Sequence, residues 1–271
     1  MKLAKMIIVC LIVLGFAVFV CKDGIAAGGK GNVKDLGKKV YVWSFNEGSG
    51  KETKDSTAGL VGKLVGDIKW AEGASHNTGD FSLQFAGKAG AAQYVEIPSS
   101  KEVDIDEQIT MAAWIYPDSL PTGDQANKFT IIFKLTYYLQ IEPGNGKDSQ
   151  LAYYFYEAQP EQYYLSDATV KEKEWSHVAL VWDGNQATFY VNGKKSNTVT
   201  HKGPGKSNTN VVQFGGENAA CCPRFFQGRM DNVTIANYAL SNDEVKLLVA
   251  SLAVNNAGKL TTTWGNTKGL R

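Results

Sequence analysis

The sequence predicts an all-β protein, an antiparallel two-sheet β-sandwich with one short C-terminal helix. Segments of alternating apolar and polar residues recur between residues 39 and 251, as expected for half-buried strands. Clusters of Gly, Asn, Asp and Pro separate these segments at the spacing of tight turns. Strand and helix patterns do not alternate along the chain, which argues against a parallel sheet and favours a sandwich or barrel.

The predicted strands are rich in β-branched and aromatic residues, which suit a pleated, half-buried surface. The clearest signal is a hairpin, in which His177–Trp182 and Ala187–Val191 flank the turn residues Asp183, Gly184 and Asn185. In chain order, strands are predicted at Val40–Phe45, Phe81–Phe85, Tyr94–Ile97, Ile109–Ile115, Thr130–Lys134, Tyr138–Ile141, Leu151–Tyr156, His177–Trp182, Ala187–Val191, Val211–Phe214 and Met230–Ile235.

One helix is predicted directly after the last strand. Ser241 and Glu244 have the spacing of a capping box, in which each side chain accepts a hydrogen bond from the other residue's backbone amide. Apolar residues then recur on one helical face, at Val245, Leu248, Val249 and Leu252.

Residues 1–26 are predicted to be a cleaved signal peptide. Lys2 and Lys5 precede Met6–Val20, an apolar run of 15 residues that is shorter than a membrane span, and small residues follow it. A lipid attached to Cys21 and an uncleaved membrane anchor are the alternatives.

The rest of the chain is predicted to divide into three segments. Residues 27–38 form a flexible lead-in rich in Gly and Lys, residues 39–251 the sandwich, and residues 252–271 a polar tail. Export with cleavage implies a secreted or cell-surface protein without a membrane span in its mature form.

The composition excludes several classes of function. With 28 Lys+Arg against 27 Asp+Glu, the chain lacks the basic excess that a nucleic-acid-binding surface requires. The apolar fraction of 44% is too high for a disordered chain, and four cysteines are too few for a disulfide scaffold. The three histidines lack metal-ligand spacing, and His177 is predicted to be structural.

The run EWSHVALVWDGNQATFYVNGKK, residues 174–195, combines Trp-x-His-Val-Ala, an Asp-Gly turn and Tyr-Val-Asn-Gly in one hairpin. VYVWSFNEGSG precedes it, and FQGRMDNVTIANYALSNDEV follows. In this order the segments resemble LamG-like jelly-roll domains of the concanavalin A-like lectin/glucanase superfamily. The resemblance implies a concanavalin A-like jelly roll over about residues 40–249. Since this fold carries lectins, adhesion modules and hydrolases, it implies no single activity.

The resemblance also implies a possible calcium ion at the rim of the sandwich. Glu47 and Asp55 lie in the first loop region and Asp231 lies in the approach to the closing strand. First and last strands are neighbours in this fold, so these oxygen ligands are candidates for a hard cation. The alternative is that Asp55 caps a turn and Asp231 accepts hydrogen bonds from backbone amides.

An acidic run offers the alternative of catalysis. Glu102, Asp104 and Glu107 resemble the catalytic strand of laminarinase- and lichenase-type glucanases, in which alternate carboxylates face one cleft of a retaining glycoside hydrolase. The interpretation that we favour is a solvated segment that blocks aggregation at a sheet edge. We therefore predict no catalytic residues.

Cys221 and Cys222 are the two cysteines that remain after signal cleavage. In an exported protein two free thiols are not expected, so we predict a vicinal disulfide, with pairing to another chain as the alternative.

Aromatic residues crowd the segment from Tyr137 to Tyr164 and are the best indication of a ligand. Alternation along a strand places Tyr154 and Tyr156 on one face and Tyr153 and Phe155 on the other. One set fills the core, and the other lines the concave sheet as stacking surfaces for sugar rings, with Tyr138, Tyr154 and Tyr156 as candidates. The alternative is that tyrosines simply suit half-buried strands.

The sequence thus predicts a secreted, non-catalytic LamG-like module that binds carbohydrate or an extracellular partner. A glycoside hydrolase and a purely structural surface protein are the alternatives.

Overall fold

The computed structural model describes residues 39–255, except 88–91, 124–126, 144–147, 157–159, 161, 204–207 and 219–223. The predicted signal peptide and lead-in, residues 256–271 of the predicted polar tail and the pair Cys221-Cys222 lie outside the described residues. Residues 252–255, predicted as the start of that tail, belong to the C-terminal helix instead.

The described residues form two sheets of eight strands each, numbered here along the chain. The strands of the first sheet are β1 (Val40–Trp43), β4 (Lys69–Glu72), β5 (Phe81–Ala86), β7 (Ile109–Pro117), β12 (Ser176–Trp182), β13 (Gln186–Val191), β14 (Lys194–Thr200) and β18 (Gln227–Ala236). Their order is β14-β13-β12-β7-β18-β5-β4, and β1 pairs with β18.

The second sheet is also antiparallel. Its strands are β2 (Glu52–Lys54), β3 (Val61–Val65), β6 (Tyr94–Ile97), β8 (Phe129–Lys134), β9 (Tyr137–Ile141), β10 (Asp148–Tyr154), β11 (Tyr164–Lys171) and β15 (Val212–Phe214). Their order is β11-β10-β9-β8-β15-β6-β3-β2. A two-stranded ribbon, β16 (Gly216–Glu217) and β17 (Arg224–Phe225), follows β15 in the chain. The predicted all-β, two-sheet fold is confirmed.

The hydrophobic core lies between the two sheets. The inward-facing residues of both sheets are almost fully buried. Examples are Trp43 of β1 and Phe214 of β15, whose rings meet edge to face with centroids 5.0 Å apart. On the second sheet the buried side chains of Leu139 and Leu151 point into this core. Their sequence neighbours, Tyr138 and Ala152, therefore point away from the core, to the outer face of the sheet.

The helix α1 (Asn242–Asn255) covers part of the outer face of the first sheet. The predicted capping box is present, because the Ser241 amide donates to Glu244 Oε2 at 2.8 Å and the Glu244 amide donates to Ser241 Oγ at 3.3 Å. Val245 and Leu248 are buried against outward residues of the sheet, including Ala179. Within the described residues, no helix has the length and apolarity needed to span a membrane.

Besides the short ribbon strands β16 and β17, five strands of the two sheets were not predicted from the sequence pattern, namely β2, β3, β4, β11 and β14. They lie at or near the sheet edges, where polar residues are common and hydrophobic alternation is weak. β11 and β14 end the two sheets on the same side of the sandwich, where Asn197 and Ser196 of β14 accept hydrogen bonds from the amides of Asp167 and Ala168. These contacts close that side of the sandwich.

Candidate functional site

The outer face of the second sheet carries a row of aromatic rings. Phe133 of β8, Tyr138 of β9 and Tyr154 of β10 lie side by side because the strands pair them in register. Ring centroids are 4.8 Å apart for Phe133 and Tyr138 and 5.3 Å apart for Tyr138 and Tyr154. Tyr163, which directly precedes β11, continues the row at 4.7 Å from Tyr154. We call these four residues the aromatic row.

The alternation of side chains at the end of β10 is as predicted. Tyr153 and Phe155 are fully buried in the core, whereas Tyr154 is half-buried and Tyr156 is exposed. Tyr156 lies in a turn beyond the end of β10, outside the aromatic row. Of the three predicted ligand residues, the structure therefore brings Tyr138 and Tyr154 together.

Only part of the aromatic row is accessible. Phe133 and Tyr138 are buried, while Tyr154 and Tyr163 are half-buried and present ring surface. Burial raises the pKa of Tyr138, and the neighbouring Glu217 carboxylate raises it further. Burial also raises the pKa of Tyr163. Both phenols thus stay protonated near neutral pH.

A buried ion pair lies against one end of the aromatic row. Lys128 Nζ donates to Glu142 Oε1 and sits 3.6 Å from the ring centroid of Tyr163, as a cation–π contact. The two charged side chains are only 1% and 5% exposed. Burial lowers the pKa of Lys128, and the Glu142 carboxylate opposes that shift.

A second ion pair belongs to the ribbon β16–β17. Arg224 Nη1 donates to Glu217 Oε2 at 2.9 Å, and both side chains are largely buried. Gln140 of β9 donates to the same carboxylate oxygen and to Thr130 Oγ1, each at 3.0 Å. Burial raises the pKa of Glu217, and Arg224 opposes that shift.

The two ion pairs and the aromatic row form one cluster. Arg224 and Glu217 both act electrostatically on Tyr138 and on Tyr163. Lys128 also interacts electrostatically with Arg224 and with Glu217. We call the four charged residues Lys128, Glu142, Glu217 and Arg224 the charged cluster.

An open groove of about 310 Å³ adjoins the charged cluster, and Lys128 and Arg224 line it. Its apolar lining includes Leu120 and Phe129. The remaining side chains that line it are mainly uncharged and polar, namely Ser119, Thr122, Asn127 and Gln227. The groove therefore combines apolar surface with charged and uncharged polar groups that can form hydrogen bonds, as sites for polar small ligands do.

The charged cluster was not predicted from the sequence, although one signal was available. Lys128 and Glu142 flank the paired strands β8 and β9, in which Phe129 pairs with Ile141, so they face each other across the ladder. A lysine and a glutamate at the open end of a predicted hairpin would have suggested this pair. For Glu217 and Arg224 no comparable pattern exists, because the ribbon is only two residues long on each side.

The acidic run lies apart from regular strands. Glu102 is in a turn, and Asp104 and Glu107 follow in an irregular segment before β7. Asp104 accepts a hydrogen bond from Lys134 Nζ at 2.7 Å and from Ser99 Oγ. Glu107 is exposed. The strand alternation that would direct these carboxylates into one cleft is therefore absent from this segment.

Glu47 and Asp55, two of the three candidate calcium ligands, accept hydrogen bonds from their own loop. Glu47 Oε1 accepts from the hydroxyl of Thr53 and the amide of Lys54, each at 2.9 Å. The Asp55 carboxylate is buried and accepts from three amides, those of Thr57, Ala58 and Leu60. In the part of the chain that the structure describes, no three His, Cys, Asp or Glu side chains cluster as metal ligands.

Asp231, the third candidate, interacts electrostatically with Asp80, and the two carboxylates accept hydrogen bonds from the consecutive amides of Ala74 and Ser75. Asp231 is fully buried and accepts from the Ala74 amide and from Asn232 Nδ2, each at 2.9 Å. Burial raises its pKa well above the ordinary value, and Asp80 raises it further. Asp80 Oδ1 is buried without a hydrogen-bond partner among the described residues. Two buried carboxylates that interact electrostatically, one of them with an unsatisfied oxygen, are therefore a second candidate pair of cation ligands.

His177 is almost fully buried and packs against Trp114, with ring centroids 5.5 Å apart. Burial lowers its pKa to about 3, so the ring is neutral at physiological pH. Ser176 and His177 are adjacent on one strand and face opposite sides of the sheet. This agrees with the predicted structural role.

Solved structures with a similar fold include several binding domains. Domain 4 of AbnA, a GH43 extracellular arabinanase from Geobacillus stearothermophilus solved with arabinotriose, has a TM-score of 0.57 and 18% identity, covering 78% of this chain and 98% of its own. The binding domain of Paraclostridial Mosquitocidal Protein 1 has a TM-score of 0.55 and 14% identity over 79% of this chain. The binding domain of botulinum neurotoxin DC, solved with SialylT, has a TM-score of 0.54 and 12% identity over 80%. The chain spans about half, 52%, of each toxin domain.

Of the two sequence comparisons, one identifies a family. A search of curated protein sequences gave no match. The Laminin_G_3 family model, described as the concanavalin A-like lectin/glucanases superfamily, matches residues 89–246, which is more than half of the chain. The match spans the aromatic row and the charged cluster, and the chain therefore belongs to this concanavalin A-like lectin/glucanase superfamily.

Proposed function

We propose that the chain is an exported, non-catalytic module that binds carbohydrate on the outer face of its second sheet. The observation that carries the proposal is the aromatic row, which ends in the half-buried rings of Tyr154 and Tyr163 beside the charged cluster and the groove. Sugar-binding sites combine flat apolar surface with a few fixed polar groups, and this region offers both.

The roles of the two half-buried rings, Tyr154 and Tyr163, follow from their positions. Tyr154 and Tyr163 present ring surface on which the C–H face of a sugar can stack. Tyr138 lies beside Tyr154 in the row and Phe133 beside Tyr138, so ring contacts within the row hold the orientation of Tyr154. Arg224 and Glu217 supply a donor and an acceptor for hydroxyl groups at the same end of the row.

Two similar structures support this proposal through the ligands with which they were solved. The arabinanase domain was solved with arabinotriose and the neurotoxin domain with SialylT, and both share the fold of this chain. Because the identities are 18% and 12%, these ligands suggest carbohydrate as the class of molecule, and neither a particular sugar nor its charge.

The carboxylates near the aromatic row favour binding over hydrolysis. Glu142 and Glu217 are each held in an ion pair, with Lys128 and Arg224 respectively. A glycoside hydrolase needs one carboxyl group as an acid and another as a nucleophile or base. In the proposal Glu217 instead orients ligand hydroxyls and Glu142 holds Lys128 against the ring of Tyr163, while hydrolysis by Glu102, Asp104 and Glu107 remains the alternative.

We extend the proposal to calcium, which would stabilise the rim of the first sheet rather than contact the sugar. Asp80 and Asp231 would hold the ion, since Asp80 Oδ1 lacks a partner among the described residues and Asp231 is buried with it. The role is structural, because a bound cation removes the repulsion between two buried carboxylates.

The test is retention on a glycan array with matched tyrosine variants. Wild-type protein should bind a defined set of oligosaccharides, and Tyr154→Ala and Tyr163→Ala should each weaken that binding by about tenfold or more. Tyr116→Ala is the matched control, because Tyr116 is a half-buried tyrosine on the other sheet that packs on Arg229 and Trp175. Equal loss in all three variants, or no glycan bound by the wild type, would refute the proposal.

A further inference from the structure

We infer that the site selects uncharged glycans, because each cation in its charged cluster is neutralised by a carboxylate of this chain. The inference rests on the proposed function and names the class of sugar that the same site takes. Two observations support it, namely the pairing and burial of the four side chains of the charged cluster and the uncharged polar side chains that line the adjoining groove.

The charged cluster contains two cations and two anions in direct contact. Lys128 pairs with Glu142, and Arg224 pairs with Glu217 at 2.9 Å. Exposed fractions of the four side chains are 1%, 5%, 11% and 4%. Among the residues that the structure describes, the charges of the cluster are therefore balanced, and water screens them poorly.

An acidic sugar fits this arrangement badly. To reach Lys128 or Arg224, its carboxylate must approach Glu142 or Glu217, and like charges in a poorly solvated region repel strongly. Separating either pair to free the cation would leave a buried carboxylate without a partner, which is strongly unfavourable. An amino sugar meets the same difficulty with the opposite sign, because Lys128 and Arg224 repel it.

A neutral sugar fits because its hydroxyl groups both donate and accept. Carboxylate oxygens of Glu217 accept from hydroxyl hydrogens, and the guanidinium of Arg224 donates to hydroxyl oxygens. The groove continues this pattern with uncharged polar side chains, of which Ser119 already donates to Gln227 Oε1 at 3.0 Å and Asn127 donates to the Thr122 carbonyl at 3.1 Å. Side chains held in this way are preoriented for a ligand.

The experiment measures the affinity of the full mature chain for three matched sets of trisaccharides. The probes are neutral units (arabinotriose and cellotriose), uronic acid units (trigalacturonate) and amino-sugar units (the trimer of glucosamine). We expect the neutral set to bind at least about tenfold more tightly than either charged set. The affinity for the neutral set should change little between about 0.05 M and about 0.5 M salt, because no net charge is transferred.

Variants that unbalance the cluster make the test specific. Glu217→Gln leaves Arg224 without its carboxylate, so the ratio of uronate to neutral affinity should rise by about tenfold. Arg224→Gln should shift the preference in the opposite direction, and the double variant should restore the preference for neutral sugars. Glu52→Gln, at an exposed position on the edge strand β2, is the matched control and should change nothing.

The outcomes separate the inference from the proposed function. If no trisaccharide and no glycan on the array binds, both are overturned. If glycans bind through Tyr154 and Tyr163 but the wild type prefers uronates or amino sugars, the inference alone is overturned. If Glu217→Gln does not fold, the inference is tested by the wild type, which should prefer neutral sugars, and by Arg224→Gln, which should shift the preference towards amino sugars.

Discussion

Lys128 and Glu142 form a buried ion pair across the paired strands β8 and β9, directly beneath the ring of Tyr163. The pair connects the fold to the site, because Lys128 and Glu142 flank the paired strands β8 and β9 and Lys128 contacts the half-buried ring of Tyr163. Its removal should therefore affect both stability and ligand binding.

Breaking this pair on one side should destabilise the protein strongly. Lys128→Met leaves Glu142 buried without a partner, and we expect a loss of about 3–5 kcal/mol in the free energy of unfolding. The double variant Lys128→Met/Glu142→Leu should recover most of this loss, since apolar residues of similar volume fill the space. Urea denaturation checks both, with Lys246→Met as the control, because the Lys246–Asp243 pair is exposed. A loss in Lys128→Met as small as in Lys246→Met would contradict the assignment of a buried pair.

The burial of His177 predicts a pH dependence of stability. Its pKa in the folded protein is lowered to about 3 from 6.5, so between these values the unfolded chain binds a proton that the folded chain does not. Stability contributed by the neutral ring is present above pH 6.5 and is lost as the pH falls towards 3, by about 1.4 kcal/mol per pH unit.

The variant His177→Gln removes this titrating group and should make the decline of stability in acid shallower by about that slope. His76→Gln is the control, because His76 is an exposed histidine paired with Glu72. Equal slopes for wild type and His177→Gln in denaturant melts between pH 7 and pH 4 would show that His177 is solvated.

The acidic run should have no catalytic role. Asp104 is held by Lys134 and Ser99, and Glu102 and Glu107 do not share a strand face. We expect wild-type protein to release no reducing sugar from β-glucans such as laminarin and lichenan. Turnover that disappears in Glu102→Gln or Glu107→Gln would establish the hydrolase alternative instead.

Calcium should stabilise the protein through Asp80 and Asp231. Addition of calcium after EDTA treatment should raise the melting temperature, and saturation at about 100 times Kd would contribute about 2.7 kcal/mol. Asp80→Asn and Asp231→Asn should abolish the shift, while Glu47→Gln, whose carboxylate is held within its own loop, should retain it. A melting temperature that changes neither with EDTA nor with added calcium would rule out the ion.

The elements that were predictable from sequence are those with local signals. The β12–β13 hairpin is set by the turn at Asp183, whose carboxylate accepts from the amides of Asn185 and Gln186. The helix is set by Ser241 and Glu244, which are three residues apart. In each case the residues that decide the structure are close in the chain, so their spacing alone carries the information.

The candidate site was only partly predictable because its parts come from distant segments. The density of tyrosines indicated the aromatic row, and alternation placed Tyr154 on the outer face. Arg224 reaches the row from a ribbon about 60 residues beyond Tyr163, and no periodicity links the two. Likewise, Asp231 interacts electrostatically with Asp80, which directly precedes β5, a strand that pairs with β18.

The central claim is that sugar rings stack on Tyr154 and Tyr163. The most direct measurement is an NMR titration of the mature domain, with labelled tyrosine rings, against the trisaccharide that binds most tightly. The account predicts saturable shifts of the Tyr154 and Tyr163 ring resonances, with those of Tyr116 unchanged. Saturable binding that leaves both rings unshifted would contradict it.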